Sequence, residues 1–310
     1  MRLVRRTLVA AVVACALAPA AGAATCVNFG IYQDDPLATL SGKGAKTSVF
    51  AGANTISTYI TGGKLLDPRL ISIANKANKQ LLVSWAPDSG ADGPKQPKFR
   101  LSKIVKGGYD ASLAALGKQF KQVKRGVIFR PMYEANLPNY AWSGLANENS
   151  TKDYVAAWQR VAKQIRTSAG LAKVRLLWSP YARSFPDSGP NGIPNYFPGK
   201  AFVDLVGASA YNVGTTPAGY AWTEPVGLFQ TAYSTILALA GKPFWIAETG
   251  STATGGDKAA WISSLASLQS TMPKLAGVVW FDAKDATGDY RLTGKPIVDA
   301  FKSAIKKGCK

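Results

Sequence analysis

Val127-Ile128-Phe129-Arg130-Pro131-Met132-Tyr133-Glu134-Ala135-Asn136 opens with an apolar run that shows no polar alternation. A strand wet on one face alternates apolar and polar residues, whereas one covered on both faces does not, and this run is too short for a helix. The preceding segment, Asp110–Lys124, sets Leu113, Leu116, Phe120 and Val123 three or four residues apart, the period of an amphipathic helix. A helix leading into a doubly buried strand is the repeating half of a parallel βα array.

Outward from this pair the same alternation recurs. Strands are predicted at Val27–Tyr32, Thr55–Ile60, Leu81–Trp85, Val127–Met132, Val174–Trp178, Val203–Ser209, Phe244–Ala247 and Val278–Phe281. Helices are predicted at Asp67–Asn78, which starts with an Asp-Pro cap, and at Asp110–Lys124, Thr151–Ser168, Val226–Ala240, Asp257–Thr271 and Pro296–Lys307. Residues 36–52 carry a weaker helical pattern, and 179–202 is rich in Pro and Gly. Eight strands alternating with crossovers predict an α/β (β/α)8 TIM barrel forming a single domain over residues 25–310. A doubly wound open sheet would ordinarily place a Gly-rich phosphate turn after its first strand; here that turn is Gln33-Asp34-Asp35-Pro36. Gly42–Thr47 likewise lacks the glycine spacing of a phosphate loop.

Residues 1–24 have the form of a secretory signal: Arg2, Arg5 and Arg6, an apolar stretch from Leu8 to Leu17, then the small-residue cleavage site Ala21-Gly22-Ala23. Processing as a lipoprotein at Cys15 is the rival. Either route predicts an exported protein, secreted or periplasmic, and no segment is long enough to span a membrane. Beyond the signal, Cys26 and Cys309 remain, one at each end, and in an oxidising compartment such a pair predicts a disulfide. Closing nearly the whole chain would contribute roughly 4–5 kcal/mol in the chain-entropy picture.

The chain carries 37 Lys and Arg against 18 Asp and Glu, a net charge of +19, or +16 without the three signal arginines. Such a balance suits an acidic polymer or simply a basic soluble surface. Neither nucleic acid nor a membrane span is expected of an exported chain without a basic-aromatic platform. Histidine is absent altogether, which excludes Ser-His-Asp and Cys-His nucleophile systems and HExxH zinc sites. No metal and no cofactor is expected, and proton transfer falls to carboxylates.

There are four glutamates, and two of them, Glu134 and Glu248, fall just past strands four and seven. In a barrel those strands lie opposite each other at the C-terminal mouth, where chemistry sits. Two carboxyls facing each other across a pocket are what glycoside hydrolysis needs. Aromatic residues share that rim: Trp85, Tyr133, Trp178, Tyr181, Tyr211 and Trp280, whose flat faces suit sugar rings. A lone glutamate is ordinarily solvated and a lone tryptophan ordinarily core, so the reading rests on their conjunction. Glu148 and Glu224 are expected on the surface, and Asp204 as either a buried structural carboxylate or a rim residue.

At these motifs the sequence resembles glycoside hydrolase family 26, whose best-known members are β-mannanases. The matching pieces are Phe129–Asn136 with Trp142, Trp178-Ser179-Pro180, Tyr196–Lys200, Val203–Gly207, Tyr211-Asn212, Lys242–Ser251, Lys258, Trp261 and Val278–Asp282. The resemblance implies a retaining endo-β-glycanase, with Glu134 as acid/base, Glu248 as nucleophile and their carboxyls about 5–5.5 Å apart. It further implies that Arg130 or Tyr211 keeps Glu248 ionised, that Trp280 floors the reacting subsite, and that Trp142, Trp178 and Tyr181 shape its flanks. One departure stands out: Tyr133 occupies the place where the family usually has histidine, which loosens the mannose preference. The family also contains β-1,3-xylanases and mixed-linkage β-glucanases, and the charge suits an acidic exopolysaccharide. A monomer acting on a polysaccharide is expected. A transglycosylase, or a non-catalytic glycan-binding protein on a hydrolase scaffold, are the alternatives.

Overall fold

The computed structural model describes residues 26–41, 49–91, 93–216 and 218–309, so the signal segment, Cys15 and Gly42–Thr47 lie outside it. Eight strands close into a parallel barrel in sequence order: β1 Asn28–Tyr32, β2 Thr55–Thr61, β3 Gln80–Ala86, β4 Val127–Pro131, β5 Val174–Trp178, β6 Leu205–Asn212, β7 Phe244–Ser251 and β8 Leu275–Phe281. Closure is made by β1, which pairs with β2 on one side and β8 on the other. The predicted barrel is the observed fold.

Helices α1 Pro36–Ser41, α2 Val49–Gly52, α3 Pro68–Lys76, α4 Leu101–Val105, α5 Asp110–Phe120, α6 Thr151–Ala169, α7 Pro225–Ala240, α8 Lys258–Leu265 and α9 Lys295–Lys307 surround the strands. Their ends follow local chemistry. The Asp67 side chain accepts from Arg69 N at 2.8 Å, with Pro68 opening α3. Ser150 and Asp153 satisfy each other's backbone N–H in a capping box at α6. Gly241 ends α7 at φ 66°. The helix predicted over 257–271 is shorter, stopping at Leu265 before a separate 3-10 turn at Leu268–Ser270. Strands β6 and β7 run past their predicted ends, because the polar residues that close the apolar run still pair within the sheet at the barrel mouth.

Two apolar layers hold the molecule together. Leu82, Ile128, Leu177, Leu205, Trp245, Ala247 and Val279 fill the inside of the barrel. The larger layer lies between strands and helices. Trp245 occupies the barrel axis only because Gly277 faces it: a Cβ there would stand 2.5 Å from the indole. Closure also brings the chain ends together. Cys26 and Cys309 form a disulfide with a Cα–Cα distance of 5.1 Å, and Cys309 N donates to Val27 O at 2.9 Å.

Candidate active site

Side chains alternate in and out along each strand, so the inner layer fixes which residues face the mouth. Continuing the inward parity of Leu82, Ile128, Leu177, Leu205 and Val279 upward brings Ser84, Arg130, Ser179, Ser209, Tyr211 and Phe281 into the mouth. Glu248 follows the inward-facing Ala247 directly and would point outward on a regular strand. It does not, because the β6–β7 register shifts between Ala208 and Ser209, leaving Ala247 as an extra residue. That bulge turns Glu248 inward.

Glu134 arrives by a different route. Beyond β4 the chain takes left-handed values at Met132 (φ 48°) and Glu134 (φ 52°), sparsely populated for side-chain-bearing residues. The turn is held by Met132 N donating to Trp85 O and Glu134 N to Ser179 O, both at 2.9 Å.

Arg130 lies between the two carboxyls with no exposed surface. Its Nη1 donates to Glu248 Oε2 at 2.7 Å and its Nη2 to Glu134 Oε1 at 3.2 Å. Ser209 Oγ accepts a further bond from Nη2. Burial works against the guanidinium charge, but Glu248, Tyr59 and Glu134 more than offset it and hold Arg130 above its ordinary value. Glu248 accepts two more bonds, from the Tyr59 hydroxyl at Oε2 and the Tyr211 hydroxyl at Oε1. The Tyr140 hydroxyl donates to Glu134 Oε2 at 2.9 Å. Burial first, and the Glu248 charge second, raise the pKa of Glu134 above 4.5. Burial and the neighbouring glutamates also push Tyr59, Tyr133, Tyr140 and Tyr211 well above the usual phenol range, so these hydroxyls remain donors at any working pH.

Above this cluster opens a cleft of about 720 Å³, lined by Tyr59, Tyr133, Glu134, Tyr140, Tyr181, Phe185, Tyr211, Tyr220, Glu248, Phe281 and Asp285 among others. Of the residues named from sequence, Glu134, Glu248, Tyr133, Tyr181 and Tyr211 reach it, and Arg130 sits beneath it. The four tryptophans do not. Trp85, Trp178 and Trp280 have the outward parity of their strands and are buried against the helices and loops outside the barrel. Trp280 packs on Trp261 and Phe301 while its Nε1 donates to Tyr290 O at 3.0 Å. The neighbour that faces the cleft is Phe281, stacked on Tyr32 with rings 10° apart. Trp142 is also buried; it stacks on Tyr140 with centroids 4.5 Å apart and so backs the tyrosine that reaches Glu134.

Tyr59, Tyr140, Ser209 and Phe281 join the site without having been expected there from the sequence. For Phe281 a signal existed, since counting in twos along β8 from the inward Val279 lands on it, whereas Tyr59 shares its parity only with the polar Thr55 and Ser57, which announce no inner face. Tyr140 lies in a loop, where no period applies. The two remaining glutamates sit on the surface as expected: Glu148 pairs with Arg100, and Glu224 accepts from Trp222 Nε1 at 2.8 Å. Asp204 is neither core nor rim. At the opposite end of the barrel it joins Arg166 to Leu176 N, each at 2.8 Å.

The sequence profile of Glycosyl hydrolase family 26 matches residues 102–260, just over half of the 310 and including both site glutamates. Endoglucanase H of Acetivibrio thermocellus is 28% identical over 235 residues, covering 74% of this chain and 24% of that protein. A mannan endo-1,4-beta-mannosidase of Bacillus subtilis is 26% identical over 166 residues, 50% of this chain and 41% of that protein. The chain thus aligns with less than half the length of either relative. In three dimensions it is similar to the catalytic domain of an endo-beta-1,4-mannanase from Bacillus sp. JAMB-750, with TM-score 0.65 and 16% identity over 91% of this chain and 86% of that one. A modular endo-beta-1,4-mannanase from Cellulomonas fimi gives TM-score 0.64 and 15% identity, over 90% and 70%. At such identities these likenesses speak for the barrel, and the family profile speaks for descent: the chain belongs to glycosyl hydrolase family 26.

Proposed function

We propose that the chain is an exported, monomeric, retaining endo-β-glycanase whose catalytic barrel spans residues 25–310 behind a removed signal at 1–24. The observation that carries this reading is the buried Glu134–Arg130–Glu248 cluster beneath an aromatic cleft. With Glu134 protonated and Glu248 ionised the cluster is net neutral, the charge state a buried site favours. Glu134 then protonates the glycosidic oxygen. Glu248, whose two oxygens only accept, attacks the anomeric carbon, and the bond to the leaving oxygen breaks as the glycosyl-enzyme bond forms. Water, deprotonated by Glu134, then releases the sugar with Glu248 restored. Tyr59 and Tyr211 hold the nucleophile in position, and Tyr140 holds the acid.

The cleft supports a neutral substrate over an acidic one. Its charged lining residues are Glu134, Glu248 and Asp285, with no lysine or arginine among them. Uronate or sulfate groups would meet like charge there. A β-linked mannan, glucan or xylan is therefore the substrate class. Separate depressions adjoin the cleft on two sides, one by Asp34 and Lys64 bordering on Tyr59 and one by Thr252 and Lys258 bordering on Val213 and Thr287. An open cleft so flanked suits cleavage within a chain. Export is supported by the Cys26–Cys309 disulfide, which belongs to an oxidising compartment. The test is reducing-end release from mannan, mixed-linkage glucan, β-1,3-xylan and an acidic exopolysaccharide, with Glu248→Gln beside the wild type. Activity on a neutral polymer that vanishes in the variant is expected; activity confined to the acidic polymer, or persisting in the variant, contradicts the reading.

A further inference from the structure

The excess of positive charge is not in the cleft. Every strand starts at one end of the barrel, and the connections at that base carry the cations: Lys79 before β3, Lys124 and Arg125 before β4, Lys173 before β5, Lys242 before β7 and Lys274 before β8. The last turn of α9 adds Lys306 and Lys307. Among the described acidic residues only Asp204 lies in these base connections, and it is engaged by Arg166. The remaining described carboxylates sit towards the mouth, in strand ends, loops and the first two turns of helices. Cations thus stand almost unopposed at the base, whereas at the mouth carboxylates are mixed with cations such as Lys95, Lys98 and Lys103 and the cleft itself is lined by carboxylates alone among charged groups.

The base also has relief. A depression of about 540 Å³ is lined by Asn54, Asn78, Lys79, Arg125 and Lys306, with no carboxylate among its lining residues. Lys79 donates to the carbonyls of Ala51 and Ala53. Its pKa is lowered by burial and by the adjacent Arg125, so like charges are crowded here, an arrangement an anion would relieve. Arg125 and Lys306 are exposed beside the amides of Asn54 and Asn78.

We infer that the barrel base is a docking surface for an acidic polysaccharide, distinct from the cleft and its substrate. Cations interleaved with side-chain amides fit a polymer bearing both carboxylate or sulfate groups and hydroxyls. A bilayer fits less well: Leu171 is the one large apolar side chain exposed at the base among the described residues, well short of an apolar face. Nucleic-acid strands would want exposed rings to stack on, and the exposed aromatics, Phe185 and Tyr220, lie at the mouth. Docked by its base on an acidic matrix, the enzyme presents its cleft outward to neutral chains.

The experiment compares retention on immobilised alginate, on vesicles rich in anionic phospholipid and on duplex DNA, across a salt series. Wild type is set beside Lys124→Glu/Arg125→Glu/Lys306→Glu and beside Lys95→Glu/Lys98→Glu/Lys103→Glu, which changes the same number of charges at the mouth. Thermal unfolding midpoints confirm that each variant is folded. The base variant should lose alginate affinity by about tenfold or more at low salt, with a weaker salt dependence, while the mouth variant stays within about twofold of wild type. Equal losses in both variants would reduce the effect to net charge and overturn the proposal. Binding to vesicles or DNA that exceeds binding to alginate would overturn it too.

Discussion

Arg130 donates from Nη1 to Glu248 Oε2 at 2.7 Å with its guanidinium wholly enclosed, so this charge pair is held almost entirely out of water. Removing the cation leaves Glu248 and Glu134 buried together without compensation. Arg130→Met should destabilise the fold by about 3–5 kcal/mol, the usual result of breaking a buried pair from one side. Arg130→Lys should keep part of that stability but lose activity, because an ammonium cannot reach both carboxyls as the planar fork does. Urea unfolding and kcat, measured on the same preparations, separate the two effects.

Glu134 supplies a pH dependence with a definite sign. Its pKa in the folded chain is raised, by burial and then by Glu248. If Glu134 acts as the general acid, as proposed, its proton is lost only as pH climbs through that raised value, and kcat/KM should fall on the alkaline side. The stability linked to this group has the same sense: fully present below the unfolded-state pKa, lost as pH rises through the folded one. Glu134→Gln should remove the alkaline limb when an aryl glycoside with a good leaving group replaces the natural substrate. It should also become more stable relative to wild type as pH increases. An unchanged limb in the variant would assign that titration elsewhere.

Neighbours on β8 should behave oppositely. Trp280 is packed between the barrel and its helices, so Trp280→Ala should cost about 3–5 kcal/mol of stability. Phe281 lines the cleft, so Phe281→Ala should raise KM with a smaller stability loss. Chemical denaturation and steady-state kinetics on the two variants check this split.

That contrast marks the limit of what the sequence revealed. Strand order, barrel class and the two glutamates were legible because unbroken apolar runs such as Val127–Phe129 announce doubly covered strands, and because only four glutamates compete for attention. The aromatic wall was not. Nearness to a strand end says nothing about which side of the barrel a residue faces, and Trp85, Trp178 and Trp280 all fall on the outward parity while Tyr59 and Phe281 fall on the inward one. Glu248 escaped the same error only through the bulge at Ala247, an irregularity that leaves no mark in composition or period.

The bond between Cys26 and Cys309 encloses almost the whole chain, with a sequence separation of 283. Cys309→Ser should lower unfolding free energy by up to about 5 kcal/mol under oxidising conditions. Wild type treated with reductant should match the variant, and the variant should be insensitive to it.

Double displacement, as proposed, requires Glu134 and Glu248 to act as a pair. Proton NMR of the first product formed from a neutral β-linked oligosaccharide reads the outcome before mutarotation blurs it, with Glu248→Gln as the inactive control. The β-anomer should appear first, with the α-anomer following only as mutarotation proceeds. Initial release of the α-anomer would mean a single inverting displacement, and Glu248 would not be the nucleophile.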